Sequence, residues 1–376
     1  MAYLIKNCKT VVGNQVVRKD VAIDDSFIEN PVEGKDYEVI DGSASILVPG
    51  FIDTHIHGSG GYGTEDCSKD SILKMSELLK EAGVTTFFPT LYTDLLSKME
   101  RGEDAIAEAA KETEGAKIGG IHSEGPFISP DRIGAQNPLG RQEANADVFS
   151  AILKHSRGML KAMTMAPEIP NAEVVIESAL KSDVVLLQGH TNATYEESIK
   201  GKELGVKHAT HLFNAMTGLH HRKPGVVGAV LSSPDMTTEI IGDGLHVHPG
   251  AVKLVLLAKG DDNVIVITDS LKPTMQKEGP FYANDVEVEI VNGLWVTKGR
   301  PELIQGSSLT MHKAFKNLIS WDFGLVAAVK LTSTNAARVY KLDRVGKIEP
   351  EYYADLVLMD ENTLDIEKVF INGEIK

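Results

Sequence analysis

The sequence predicts an α/β protein, a (β/α)8 TIM barrel with a small β-sandwich domain formed from both termini. Three observations carry that expectation. Both ends of the chain read as short strands broken by turn residues. The middle alternates apolar strand-like runs with helix-like stretches, about eight units over roughly 250–300 residues, which is what such a barrel requires. Residues able to hold a metal recur where those runs stop, and in barrels of this kind strand ends carry the active site. An open doubly wound sheet has a similar strand count, but it would scatter those strand ends along an edge where a closed barrel gathers them.

In chain order, short strands are expected at 3–5, 11–12, 15–17, 21–23 and 37–40, separated by Gly13-Asn14, Asp24-Asp25 and Asp41-Gly42. The C-terminal stretch is alike, with runs at 354–359 and 369–371 before an Asn372-Gly373 turn. The β domain is therefore assigned to 1–48 and 346–376, and the barrel to 49–345. The barrel runs are 47–57, 84–90, 116–124, 159–166, 184–190, 207–211, 238–243 and 263–269. Helices are expected between most of them. One is 71–82, whose Ile72, Met75, Leu78 and Leu79 recur at helical spacing, and another is 173–181. A β-hairpin around 281–304 reads as an insertion after the last barrel strand, and a helix over 307–319 completes the barrel.

A chain of 376 residues can bury a large core, and 42% hydrophobic with 24% charged residues is ordinary for a soluble protein. The net charge of −15 argues against nucleic acid or an anionic membrane surface as partner, while leaving room for a small anionic substrate held by local cations. Cys8 and Cys67 are too few for a disulfide framework, as expected of a reducing compartment. Lys6, Asn7 and Lys9 interrupt the start of the chain, and the apolar run at 252–258 is far too short to span a bilayer. A cytoplasmic protein with no membrane partner is expected.

The most informative motif is His55-Ile56-His57 at the end of an apolar run. Side chains two apart on a strand share a face, so two imidazoles aim at one point, a donor set that suits zinc or iron. A lone pair of this kind is more often two ordinary half-buried histidines. Here Glu124, His190, His211 and Asp269 stand at the ends of four other runs. Glu124 bridges two cations or binds one, and His122, on its face, reads as a hydrogen-bonding support. Asp269, ionised near a dication, can take a proton from water. Each residue alone has the bland alternative of a barrel-end polar group making local hydrogen bonds; convergence of the whole set is what favours the metal reading.

Other features divide. Gly58-Ser59-Gly60-Gly61-Tyr62-Gly63 matches a dinucleotide fingerprint, but no helix follows directly, so it reads as a loop close to the site. His220-His221-Arg222-Lys223-Pro224-Gly225 is the densest local cation cluster. Arg222 has the planar fork suited to phosphate or carboxylate, and a solvated basic loop is the alternative. His246, after the seventh run, is placed to donate to a substrate carbonyl. His208 and His248 read as structural and peripheral.

Nearly end to end, the chain resembles the amidohydrolase superfamily and, within it, the N-acetylglucosamine-6-phosphate deacetylases. Pro49-Gly50-Phe51-Ile52-Asp53 with the following histidine pair marks only the superfamily. Glu124-Gly125-Pro126, His190-Thr191-Asn192-Ala193-Thr194 and Thr210-His211-Leu212-Phe213-Asn214-Ala215-Met216 are specific to the deacetylases. The resemblance implies a divalent metal, zinc or iron, as one or two ions per subunit. Glu124, His190 and His211 would hold one ion, with His55 and His57 able to hold a second and Glu124 bridging. Asp269 would be general base and acid, and His246 would polarise the acetyl carbonyl. Arg222, with the backbone of Asn214 and Ala215, would hold the phosphate of an amino-sugar phosphate. That arginine often comes from the neighbouring subunit, implying a homodimer. Gln136 stands where relatives commonly show a substrate-contacting histidine, and His312 where an aspartate is expected.

The implied reaction is hydrolysis of the acetamide of N-acetylglucosamine 6-phosphate to glucosamine 6-phosphate and acetate. Gln136 leaves the galactosamine substrate, or another amidohydrolase activity, as the rival. From a different class, the rival is a non-catalytic binding protein on the same scaffold.

Overall fold

The apolar middle of the chain forms eight parallel strands, β1 (Phe51–Ile56), β2 (Val84–Leu91), β3 (Ile121–Glu124), β4 (Leu160–Met165), β5 (Val185–Gln188), β6 (His208–Ala209), β7 (Thr237–Ile241) and β8 (Val264–Ile267). They are seen in a computed structural model that describes residues 2–376. Each strand pairs in parallel with the next. The ring closes between the first and last: Asp269 N donates to His55 O at 2.9 Å, His57 N donates to Ser270 O at 2.9 Å, and Ile56 bridges Ser270 in parallel. Closure gathers the strand ends, so the open-sheet alternative does not apply. The strands are buried almost throughout, as parallel strands covered on both faces must be.

A helix follows each strand, at Lys69–Glu81, Leu96–Ala109, Ala146–His155, Ala172–Lys181, Tyr195–Leu204, Gly225–Ser232, Pro249–Lys259 and Met311–Ser320. The first buries Ile72, Met75 and Leu79, the stripe its periodicity predicts. The last starts later than its sequence suggests. Ser307 bridges Ser270 in parallel and its N–H donates to Asp269 O at 2.7 Å, so this segment lies along the barrel wall. The helix begins only where Thr310 caps it, accepting from Lys313 N at 3.3 Å. The third run is also interrupted, pairing at Lys117–Ile118 and again from Ile121, with Gly119 and Gly120 between.

The termini form one eight-stranded sheet. Its strands are Ala2–Val12, Gln15–Asp24, Phe27–Glu29, Glu38–Asp41, Ser45–Pro49, Leu356–Asp360, Ile366–Ile371 and Glu374–Ile375. It curls over its own core, where Tyr3 meets Phe370 edge-on at 5.7 Å although two strands lie between theirs. The expected pieces at 3–5 and 11–12 are one strand, because the polar Lys6-Asn7 break is absorbed as a bulge rather than a turn. Asn7 takes φ 54° and donates its N–H to Asp20 Oδ1 at 2.8 Å. The insertion is larger than the hairpin expected. Four antiparallel strands, Phe281–Ala283, Val286–Val291, Leu294–Thr297 and Arg300–Ile304, meander through turns with left-handed Asn284, Asp285 and Gly299. Its Ala283, Val288 and Trp295 pack with Tyr92 and Leu271. Among the described residues no helix is long and apolar enough to cross a membrane.

Gly50 joins the two sheets. The single apolar run read from the sequence is shared, Ser45–Pro49 pairing with the C-terminal Leu356–Asp360 and Phe51–Ile56 entering the barrel. A Cβ at Gly50 would lie 2.1 Å from Thr85 Oγ1, a contact that β2 cannot relieve without shifting. Gly50→Ala is therefore expected to destabilise the fold by about 1–3 kcal/mol in denaturant unfolding. Gly218→Ala, with nothing within 4 Å of its Cβ, should stay within about 0.5 kcal/mol of the parent. Equal stabilities for the two variants would contradict this account of the junction.

Candidate active site

Alternation along β1 turns His55 and His57 to the barrel axis, both buried. Glu124 ends β3, 2% exposed, and His190, His211 and Asp269 each stand two residues beyond β5, β6 and β8. These last three carry positive φ, 49°, 25° and 51°, a conformation that costs energy for non-glycine residues and persists only where packing imposes it. The bend turns each side chain inward as its strand stops.

Glu124 is the centre of the result. Its Oε1 lies 3.1 Å from His190 Nε2, 3.0 Å from His211 Nε2 and 3.4 Å from His55 Nε2, while Oε2 lies 3.3 Å from His57 Nε2. Asp269 Oδ1 is 3.3 Å from His57 Nε2 and 3.6 Å from His55 Nε2. Burial alone would push the Glu124 carboxyl up; His55 and His190 hold it well below the usual carboxylate range. Burial likewise works against protonation of His55, His57 and His190, and the facing carboxylates push all three up regardless. The site thus draws positive charge to one buried point.

Two donor groups converge there, Glu124 with His190 and His211, and His55 with His57 and Asp269, the ligand atoms of each lying within 4.8 Å of one another. Imidazole and carboxylate donors in this arrangement fit a divalent metal. The far sides of the rings agree with that fit. His57 Nδ1 donates to Thr90 O at 2.9 Å, His190 Nδ1 to Arg132 O at 2.9 Å, and His55 Nδ1 faces Glu239 Oε2 at 3.1 Å, which leaves each Nε2 toward the centre. His55 Nε2 is buried with no hydrogen-bond partner, as expected of an atom placed for a cation.

A cavity of about 250 Å³ opens over these groups, lined among others by Tyr92, Gln136, Asn214, Ala215 and His246. Tyr92 stacks on His57 with ring centroids 3.7 Å apart. His246 Nδ1 donates to Asp243 Oδ2 at 2.6 Å and its Nε2 lies 3.3 Å from Gln305 O. Burial opposes charge on this ring, and Asp243 pushes its pKa up all the same. Both ends of the Gln136 amide are engaged, Nε2 donating to Glu124 Oε2 at 2.6 Å and Oε1 accepting from Thr93 N at 2.7 Å. Arg222 is not in this cavity. It is exposed beside His221, with Nη1 and Nε2 2.7 Å apart.

The remaining histidines have structural partners. His122 Nδ1 meets Thr54 O at 3.1 Å and Nε2 meets Thr164 Oγ1 at 2.8 Å, and burial pushes its pKa down to about 3. His248 caps the helix Pro249–Lys259 by accepting from Gly250 N. His312 Nε2 donates to Leu364 O, tying a barrel helix to the C-terminal segment. The backbone of Gly58 passes so close to Lys272 that a Cβ would sit 2.5 Å from its Cα, so the glycine-rich loop packs against the segment after β8. Sequence reasoning missed Glu239, Tyr92 and Asp243. Glu239 had a usable signal: it is a lone carboxylate inside the buried strand Thr237–Ile241, where it needs a cationic or hydrogen-bonding partner.

The sequence profile described as Amidohydrolase family matches residues 46–376. An N-acetylglucosamine-6-phosphate deacetylase of Bacillus subtilis is 34% identical over 96% of this chain and 93% of that relative. An N-acetylgalactosamine-6-phosphate deacetylase of Escherichia coli is 29% identical over 90% and 89%. Among solved structures, a mutant N-acetyl-D-glucosamine-6-phosphate deacetylase from Mycobacterium smegmatis, in complex with N-acetyl-D-glucosamine-6-phosphate, superposes with a TM-score of 0.92 at 27% identity. That match covers 100% of this chain and 99% of that one.

Asp243 is the strongest of the groups that raise the His246 pKa against burial, ahead of Asp269 and the Gln305 carbonyl, so its removal weakens the support for the charged ring. Asp243→Asn is expected to lower the His246 titration midpoint, read by NMR of labelled histidine. An unchanged midpoint would show that Asp243 does not set it.

Proposed function

This chain belongs to the amidohydrolase family, and from that premise we propose that its barrel-end site hydrolyses the acetamide of N-acetylglucosamine 6-phosphate to glucosamine 6-phosphate and acetate. The observation that carries the reading is the convergence of Glu124, His190, His211, His55, His57 and Asp269 at one cavity beside His246. It is joined by likeness over nearly the whole chain to relatives named for that reaction. The barrel, 49–345, carries the chemistry, and the β unit of 1–48 and 346–376 does not.

Glu124, His190 and His211 would hold one divalent ion, zinc or iron, and His55 and His57 a second, with Glu124 between them. A metal held there would supply Lewis acidity and lower the pKa of water far enough for hydroxide to form near neutral pH. Asp269 takes the proton of the attacking water and then returns it to the departing amine, which is too basic to leave unprotonated. His246, held by Asp243, donates to the acetyl oxygen as negative charge develops there. Asn214 and Ala215 line the cavity wall and offer backbone to the phosphate. Arg222, exposed in its own chain, reaches the phosphate from the neighbouring subunit of a homodimer and so orients the acetamide through remote binding energy. The setting is cytoplasmic.

A second reading has a specific observation behind it. Gln136 is committed to Glu124 and Thr93 and cannot become cationic, and one relative is named for the galactosamine substrate. Acetate release from the two sugar phosphates, measured beside metal content, decides between them; turnover of neither sugar by fully metallated protein would favour a binding protein.

Two variants test the roles. Asp269→Asn is expected to lower kcat roughly 100- to 10,000-fold while the ion at Glu124, His190 and His211 stays bound; near-normal turnover would refute the proton-transfer role. Arg222→Ala should raise KM for the phosphorylated sugar and scarcely alter turnover of the unphosphorylated one. Equal losses on both would remove the phosphate assignment.

A further inference from the structure

Below the cavity, on the far side of His55, lies a carboxylate that the proposed reaction does not use. Glu239, in the middle of β7, is 0% exposed. Its Oε2 is 3.1 Å from His55 Nδ1, whereas its other neighbours stand farther off. Thr54 Oγ1 and the Tyr340 hydroxyl are each 3.4 Å from Oε1, and His208 Nε2 is 4.0 Å away. A buried carboxylate is costly unless matched by charge and hydrogen bonds. His55 is its closest partner, and through that ring the charge points at the metal-type cluster.

The four inward histidines differ in what stands behind them. His57 and His190 have neutral carbonyls at Nδ1, and His211 Nδ1 has no partner. His55 alone has a carboxylate. A carboxylate behind a ligating imidazole fixes its tautomer and orientation and strengthens it as a donor. Charge balance points the same way. Two dications bring four positive charges, against two negative ones from Glu124 and Asp269, in a site where nearly every side chain is buried. Glu239 is a third negative charge on the side of His55 and His57.

We propose that Glu239 is a positioning residue for the second cation position, the one that His55 and His57 would form beside Glu124 and Asp269: it anchors His55 Nδ1–H, turns Nε2 to the ion and supplies the charge that lets a second dication stay. The inference rests on the metal reading of the site given above. A purely structural Glu239, tying β7 to Thr54 and Tyr340, would change stability without changing the number of ions held.

The test is a count of ions per chain by elemental analysis, with chelator competition, on zinc-loaded full-length wild type, Glu239→Gln and Tyr340→Phe. Wild type is expected to hold two ions. Glu239→Gln, which preserves shape and removes charge, should keep one with unchanged affinity and bind the other about 10- to 100-fold more weakly. Tyr340→Phe, which removes a different partner of the same carboxylate, should keep both. If Glu239→Gln does not fold, Glu239→Asp replaces it: the charge remains but its reach to His55 shortens, and the same ion alone should weaken. Two ions held with wild-type affinity in the Glu239 variant, equal weakening of both ions, or a wild type that takes only one would each overturn the proposal. Failure of the deacetylase reading shows separately, as two bound ions without acetate release from either sugar.

Discussion

Everything in the site turns on one buried carboxylate. Glu124 has almost no contact with solvent, and its two oxygens face the Nε2 atoms of His55, His57, His190 and His211. An ionised carboxylate without compensation in such a place would take up a proton instead. Four imidazoles make ionisation favourable, and they can do so only if strands β1, β3, β5 and β6 end at the same height. Barrel closure provides that level. The hydrogen bonds from Asp269 N to His55 O and from His57 N to Ser270 O join the first and last strands at the rim where these side chains stand.

The backbone bears part of the cost. His190, His211 and Asp269 adopt left-handed conformations that side chains rarely take, all at the turn from strand to loop. A side chain leaving an extended strand would continue its alternation; a left-handed residue changes the direction of the chain and of its own Cβ together. Locking from behind completes the arrangement, since Thr90 O, Arg132 O and Glu239 fix three of the rings before any ligand arrives. The rings are therefore held in place by two carbonyls and one carboxylate, none of which lines the cavity.

Much of this was legible in the sequence because barrels write their site into strand ends. The apolar runs ending in His57, Glu124, His190, His211 and Asp269 became strands β1, β3, β5, β6 and β8 with those residues at the rim. The failures have physical causes. The strands expected at 3–5 and 11–12 are one strand, because the polar Lys6-Asn7 pair between them is accommodated as a bulge by one left-handed residue. Residues 307–310 looked helical and instead lie along β8 and cap the next helix, an outcome set by tertiary pairing rather than local preference. The inserted hairpin proved to be a four-stranded meander because Phe281–Ala283 is only three residues long and Arg300–Ile304 is largely polar, so neither announces itself as a strand. Glu239 lies inside its strand rather than at the end, and its partner, His55, is far away in sequence, so no local pattern marks the pair.

The most direct measurement is anomalous scattering from crystals of the zinc-loaded protein, recorded above and below the metal edge. The account predicts a strong peak in contact with Glu124, His190 and His211. A fully loaded crystal with zinc bound elsewhere, and no peak among these three residues, would contradict it.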